Sequence, residues 1–191
     1  MKIGVLASQG AFVEHIAVLR RLNVEATPVR LPGELAGLDG LIIPGGESTS
    51  ISRLLLDYNL GSKLRNLAHS GLPLFGTCAG MILLANGTSA SDIEPLGLMK
   101  IQVKRNAFGR QRESFETDLS IPVLGEKPFP AVFIRAPLIE QANSDVEILA
   151  RLGDTSVAAR EGKLLACAFH PELSDDSRFH EYFLDIVTGR R

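Results

Sequence analysis

Met1 to Ala7 is a compact, largely apolar run punctuated by Gly4 and closed by the polar turn Ser8-Gln9-Gly10. Such a run predicts a strand buried on both faces, as in a parallel sheet. The period then lengthens. Val13, Ile16, Ala17 and the Leu19 to Leu22 segment mark one face of a helix, with Glu14, His15, Arg20 and Arg21 assigned to the water side. Val24 to Leu31 reads as a second strand, placed at a sheet edge because Pro28 interrupts it. Leu41-Ile42-Ile43 is a third short buried strand and runs into the loop Pro44-Gly45-Gly46-Glu47-Ser48-Thr49-Ser50. A helix follows, with Ile51, Leu54, Leu55 and Tyr58 on one stripe and Ser48 or Thr49 as its expected N-cap. Leu64 to Ser70 continues the helical layer, Gly71 stops it, and Leu72 to Phe75 forms a further strand.

Strand and helix alternate through this half of the chain, which predicts an α/β fold. Its mostly parallel central sheet is flanked by helices on both faces, and ligands settle at the carboxyl ends of its strands. Beyond Asn86 the pattern changes to polar turns and short alternating strands at Gly97 to Val103, Ser114 to Leu119 and Ala131 to Ile134. A small antiparallel or mixed β extension is expected there. Val157 to Arg160 and Leu164 to Phe169 read as a hairpin around Glu161-Gly162-Lys163. Phe179, Tyr182, Phe183, Ile186 and Val187 form the stripe of a closing helix.

Composition narrows the functional classes. The 191 residues fit a single domain, 1–191, and a formal charge of −2 with both signs dispersed argues against a nucleic-acid binder. The apolar runs are too short to cross a bilayer. Two cysteines without a disulfide framework or a recognisable signal segment lead to the expectation of a reducing, cytoplasmic location. No metal site and no cofactor is expected.

Chemistry concentrates in three places. Gly76-Thr77-Cys78-Ala79-Gly80 follows a buried strand and precedes a helix, the pattern of a nucleophile elbow. There, backbone N–H groups favour a thiolate at Cys78, and the N–H of Ala79 faces a developing oxyanion. The Gly45-Gly46 loop presents N–H groups ahead of a helix; it lacks the lysine of a P-loop, which demotes nucleotide binding. His170-Pro171-Glu172 ends the last strand, where extended residues two apart project to one side and an imidazole meets a carboxylate. His15 and His180 fall on the polar sides of their helices, His69 sits in a last turn where a cation suits the dipole, and Cys167 belongs to the core. Arg135 follows Val132-Phe133-Ile134, a costly place for a charge unless it has a partner. The basic segment Lys104 to Arg112 is either a solvated hairpin or a clamp for a substrate carboxylate.

A cysteine elbow, an upstream Gly-Gly loop and a terminal His-x-Glu together resemble the class I (triad) glutamine amidotransferases. Gln9-Gly10-Ala11-Phe12 with Glu14-His15, Pro44 to Thr49, Arg105-Asn106-Ala107-Phe108-Gly109-Arg110-Gln111, Phe133-Ile134-Arg135-Ala136-Pro137 and His170-Pro171-Glu172-Leu173 are similar to one branch. That branch is the glutaminase subunits of pyridoxal 5'-phosphate synthases; Ser8 departs from the leucine usual in it. The resemblance implies Cys78 as nucleophile, His170 as base and acid, and Glu172 as its orienting carboxylate. It further implies glutamine contacts from Gly46, Glu47, Ser48, Arg105, Ile134 and Arg135, with oxyanion N–H groups from Gly46 and Ala79. L-glutamine is then the substrate, and a barrel-shaped synthase subunit is the acceptor of ammonia. The Gly45-Gly46 peptide is a candidate for reorientation on docking. Three rivals stand beside this reading. They are a cysteine hydrolase of the α/β-hydrolase fold, whose acid precedes its histidine, an amidotransferase of another pathway, and a non-catalytic regulatory module on the same fold.

Overall fold

The computed structural model describes residues 1–7, 10–106 and 114–191. The expected parallel sheet is present. β1 (Lys2–Leu6), β2 (Glu25–Val29), β3 (Gly40–Ile43), β4 (Leu74–Thr77) and β12 (Leu164–Cys167) run parallel in the order β2-β1-β3-β4-β12. β2, with Pro28 inside it, lies at the edge. The sheet then turns antiparallel through β11 (Thr155–Glu161) and β9 (Leu138–Ala142) to β6 (Met99–Lys104), beside which β5 (Ala85–Thr88) runs parallel. β10 (Glu147–Leu152) pairs with β11, and β7 (Ser114–Leu119) with β8 (Phe129–Ile134) forms a separate antiparallel ribbon.

Helices cover both faces. Phe75 and Thr77 of β4 point to the face carrying α1 (Phe12–Arg21) and α5 (Arg178–Val187): the Phe75 ring is 5.6 Å from Phe179 and 5.4 Å from Phe183. Gly76 points the other way, onto α4 (Ala79–Leu84), where α2 (Ser48–Asp57) and α3 (Leu60–His69) complete the layer. The approach is close enough that a Cβ at Gly76 would lie 2.5 Å from the Gly80 carbonyl oxygen. Phe129, Phe169 and Phe179 are fully buried and tie the ribbon to α5 and the end of β12.

Several expectations need correction. His15 and His180 are wholly buried between α1, α5 and β4, not on wet faces. Glu47, rather than Ser48 or Thr49, caps α2, its carboxylate accepting from the N–H groups of Thr49 and Ser50. Arg135 is exposed and left-handed (φ 43°), so its charge bears no burial cost. The strand before His170 stops at Cys167, and Pro171–Leu173 is a short 3-10 turn. Ser8, the departure from the family pattern, and Gln9 and Ala107 to Gln111, which carry part of the resemblance, lie outside the described residues, as does most of the basic segment. Among the described residues no helix is long and apolar enough to cross a membrane.

Candidate active site

β4 and β12 are neighbours, with Thr77 opposite Cys167. The residues that follow each strand therefore emerge side by side at the carboxyl edge of the sheet. Cys78 turns there with φ 50° and ψ −104°, outside the ordinary regions for a residue with a Cβ. Its N–H donates to the Cys167 carbonyl at 2.8 Å, and its own carbonyl accepts from Met81 and starts α4. The strained turn is thus held at both ends, and it aims Sγ over the sheet edge, 3.8 Å from the Ile134 carbonyl oxygen. Gly80 is obligatory, because a Cβ there would run into the Ile43 carbonyl.

His170 is fixed by its backbone N–H donating to the Val132 carbonyl of β8 at 2.8 Å. Its Nδ1 lies 2.7 Å from Glu172 Oε1, and both side chains are nearly closed to solvent. Burial works against a charged ring at His170, but the hydrogen bonds to Cys78 and Glu172, with their charges, push its pKa up to about 10. Glu172 behaves conversely. Burial raises its carboxyl, and His15 and His170 outweigh that and hold it below the usual carboxylate range. The raised pKa favours an imidazolium beside Cys78, the state that donates a proton to a leaving group. Cys167 is no competing nucleophile: burial pushes its thiol well above the ordinary value.

Gly45 closes the site from above. A Cβ on it would overlap the His170 ring and lie 3.3 Å from the Cys78 Cβ. Its N–H donates to Thr77 Oγ1 at 3.0 Å, and its carbonyl accepts from Ala11 at 3.3 Å. A cavity of about 320 Å³ opens in front of Cys78 and His170. Gly46, Glu47, Ser48, Ala79, Arg105, Ile134 and Arg135 line it. The structure thus brings the sequence-predicted site residues together, with Glu172 behind His170. Arg105 reaches Glu47 Oε1 at 3.2 Å and Asp92 Oδ2 at 3.4 Å, linking β6 to the cap of α2. Gly10, Ile82 and Asn106 also line the cavity, without having been singled out from the sequence. Gly10 had a signal, since it closes the first strand's turn at the same sheet edge. A larger open groove of about 870 Å³ between β7, β8 and the start of α5 holds acidic side chains, Lys127, Arg178 and two serines but no cysteine or histidine. Among the described residues no cluster suits a metal ion.

The model of the SNO glutamine amidotransferase family matches residues 5–188. The chain is 60% identical to pyridoxal 5'-phosphate synthase subunit PdxT of Pelotomaculum thermopropionicum, over 97% of its own length and 94% of the relative's. It is 57% identical to the protein of the same name from Moorella thermoacetica, over 98% and 100%. A solved structure described as a glutamine amidotransferase superposes with a TM-score of 0.92 at 49% identity, covering 97% of this chain and 98% of that one.

Proposed function

This chain belongs to the SNO glutamine amidotransferase family, and from that premise we propose that it hydrolyses the side-chain amide of L-glutamine to L-glutamate and ammonia. Cys78 is the nucleophile, His170 the proton carrier and Glu172 the group that orients it. The thiolate attacks the amide carbon, and the tetrahedral oxyanion is held by the N–H groups of Gly46 and Ala79. His170 protonates the leaving nitrogen, because an amide anion is too basic to depart unaided. The same ring then takes a proton from water, which hydrolyses the glutamyl thioester and frees Cys78. Glu47, Ser48, Arg105, Ile134 and Arg135 hold the amino-acid end of glutamine. Each oxyanion donor contributes on the order of a hundredfold or more in turnover.

The observation that carries this reading is the buried His170–Glu172 contact at 2.7 Å beside the Cys78 elbow. A regulatory module has no need to retain it. The curated relatives bear the name of a pyridoxal 5'-phosphate synthase subunit, which favours that synthase over other pathways as the acceptor of ammonia. The partner is then a barrel-shaped synthase subunit, the setting is the cytoplasm, and residues 1–191 act as one glutaminase domain. Ammonia release from glutamine, measured with and without that subunit, tests the assignment. The subunit should raise turnover, and Cys78→Ala should reduce it to background in both settings. Turnover retained by Cys78→Ala removes that residue from the nucleophile role, and activation by a different synthase reassigns the pathway.

A further inference from the structure

Glu172 has a second oxygen that the triad does not use. Oε2 is buried, and the polar group beside it is His15 Nε2 at 3.2 Å, in an oblique approach that leaves it without a well-aligned hydrogen bond among the described residues. The same Nε2 is 3.2 Å from Thr77 Oγ1, and His15 Nδ1 is 2.9 Å from His180 Nε2. Burial keeps both His15 and His180 neutral at pH 7, against the pull of Glu172 on His15. A neutral ring carries one proton, and the carboxylate decides where. A bare Nε2 facing Oε2 would set lone pair against lone pair, so the proton is on Nε2 and Nδ1 accepts from His180. His15 Nε2–H is therefore directed at Thr77 Oγ1, with Glu172 Oε2 equally near at 3.2 Å but poorly aligned. Thr77 Oγ1 in turn accepts the Gly45 N–H at 3.0 Å, and Ala11, at the head of the helix bearing His15, holds the Gly45 carbonyl.

We propose that His15 is a positioning residue that couples the triad acid to the Gly45-Gly46 loop, its one N–H turning between Thr77 Oγ1 and Glu172 Oε2. A loop that releases Thr77 lets this N–H turn fully to Glu172; a loop that holds Thr77 draws it away. The acid that orients His170 thus senses the loop that offers an oxyanion donor. The inference deepens the glutaminase reading and rests on it.

The test uses the complex with the synthase subunit, recording kcat and KM for glutamine and a thermal melt for each variant. His15→Leu removes the N–H and should lower kcat about ten- to a hundredfold, the span of one hydrogen bond to a charged group, with KM little changed. His15→Gln places an amide N–H near the former Nε2 and should recover most of the loss. Thr77→Val keeps the shape without Oγ1, and its effect should be less than additive with that of His15→Leu. A folded His15→Leu with wild-type kcat overturns the proposal. So does a His15→Gln that falls as far as His15→Leu, the mark of a packing role. Where His15→Leu fails to fold, the cycle of His15→Met, which also lacks an N–H, with Thr77→Val decides: non-additivity supports the coupling and simple additivity overturns it. Wild-type turnover with unresponsive His15 variants defeats this inference alone, whereas a wild-type complex that releases no ammonia defeats the glutaminase reading beneath it.

Discussion

Gly45→Ala isolates the geometry on which the chemistry depends. Gly45 does not occupy the left-handed region, so alanine meets no backbone penalty there and the perturbation is the added methyl alone. That methyl would overlap the His170 ring and lie 3.0 Å from its Nδ1. Restoring an ordinary carbon contact of about 3.5–4.0 Å requires the ring to retreat by roughly 1.2–1.7 Å at Cε1. Retreat is opposed by the 2.7 Å contact to Glu172 and the 2.8 Å hydrogen bond from the His170 N–H to Val132. The loop has little freedom to yield instead, being held by Thr77 at 3.0 Å and Ala11 at 3.3 Å. A misplacement of about 1 Å between reacting groups costs on the order of a hundredfold in rate, and overpacking of this kind costs about 1–3 kcal/mol of stability. Ammonia release in the complex, paired with a thermal melt, measures both. Gly33→Ala is the control, because a Cβ at Gly33 meets nothing within 4 Å. A Gly45→Ala variant that melts normally and keeps kcat within about threefold of wild type would refute the argument that the ring is sterically fixed over Cys78.

Further outcomes follow from the charges. The His170 ring is raised from 6.5 to about 10 on folding, so its stabilising contribution is complete below about pH 6.5 and is lost as pH rises through about 10. Melting temperature should decline over that alkaline window, and turnover should lose its proton donor at the upper end; an activity limb near pH 6.5 instead would contradict the imidazolium assignment. Glu47→Ala removes the cap of α2 and should cost about 1 kcal/mol by chemical denaturation. With its carboxyl depressed to about 2, chiefly through Ser50, the cap's contribution is present above pH 4.5 and fades as pH falls through about 2. Arg105→Ala and Arg135→Ala should raise KM for glutamine about tenfold or more, with a smaller change in kcat; a selective fall in kcat would place these residues in the reaction rather than in binding.

The parallel half of the fold was legible because β1, β3 and β4 are continuous apolar runs that only a doubly covered sheet can bury. β5, β9 and β10 escaped notice for the opposite reason. Ala85–Thr88 contains a glycine and an asparagine, and Leu138–Ala142 is mostly exposed beyond Ile139, so neither has a strong period. Cys78, His170 and Glu172 were readable as local motifs, but nothing local says that β12 pairs with β4 and brings them together. His15 was misassigned although its spacing held the answer: with Val18, Leu19 and Leu22 it occupies positions i, i+3, i+4 and i+7 of one stripe, and residue type was allowed to outweigh position. Arg135 was given a burial problem because the exposed, left-handed corner after Ile134 leaves no trace in the preceding apolar run.

The pairing of Thr77 with Cys167 has a consequence for biosynthesis. On the ribosome the segment bearing the thiol emerges long before the strand that seats its imidazole, and β4 waits with an open flank until β12 arrives. A nascent or C-terminally clipped chain therefore has a cysteine without a base and an unpaired edge open to misassociation. Competence therefore waits for the segment from β12 to Glu172, which closes the open flank of β4 and supplies the base in one stroke.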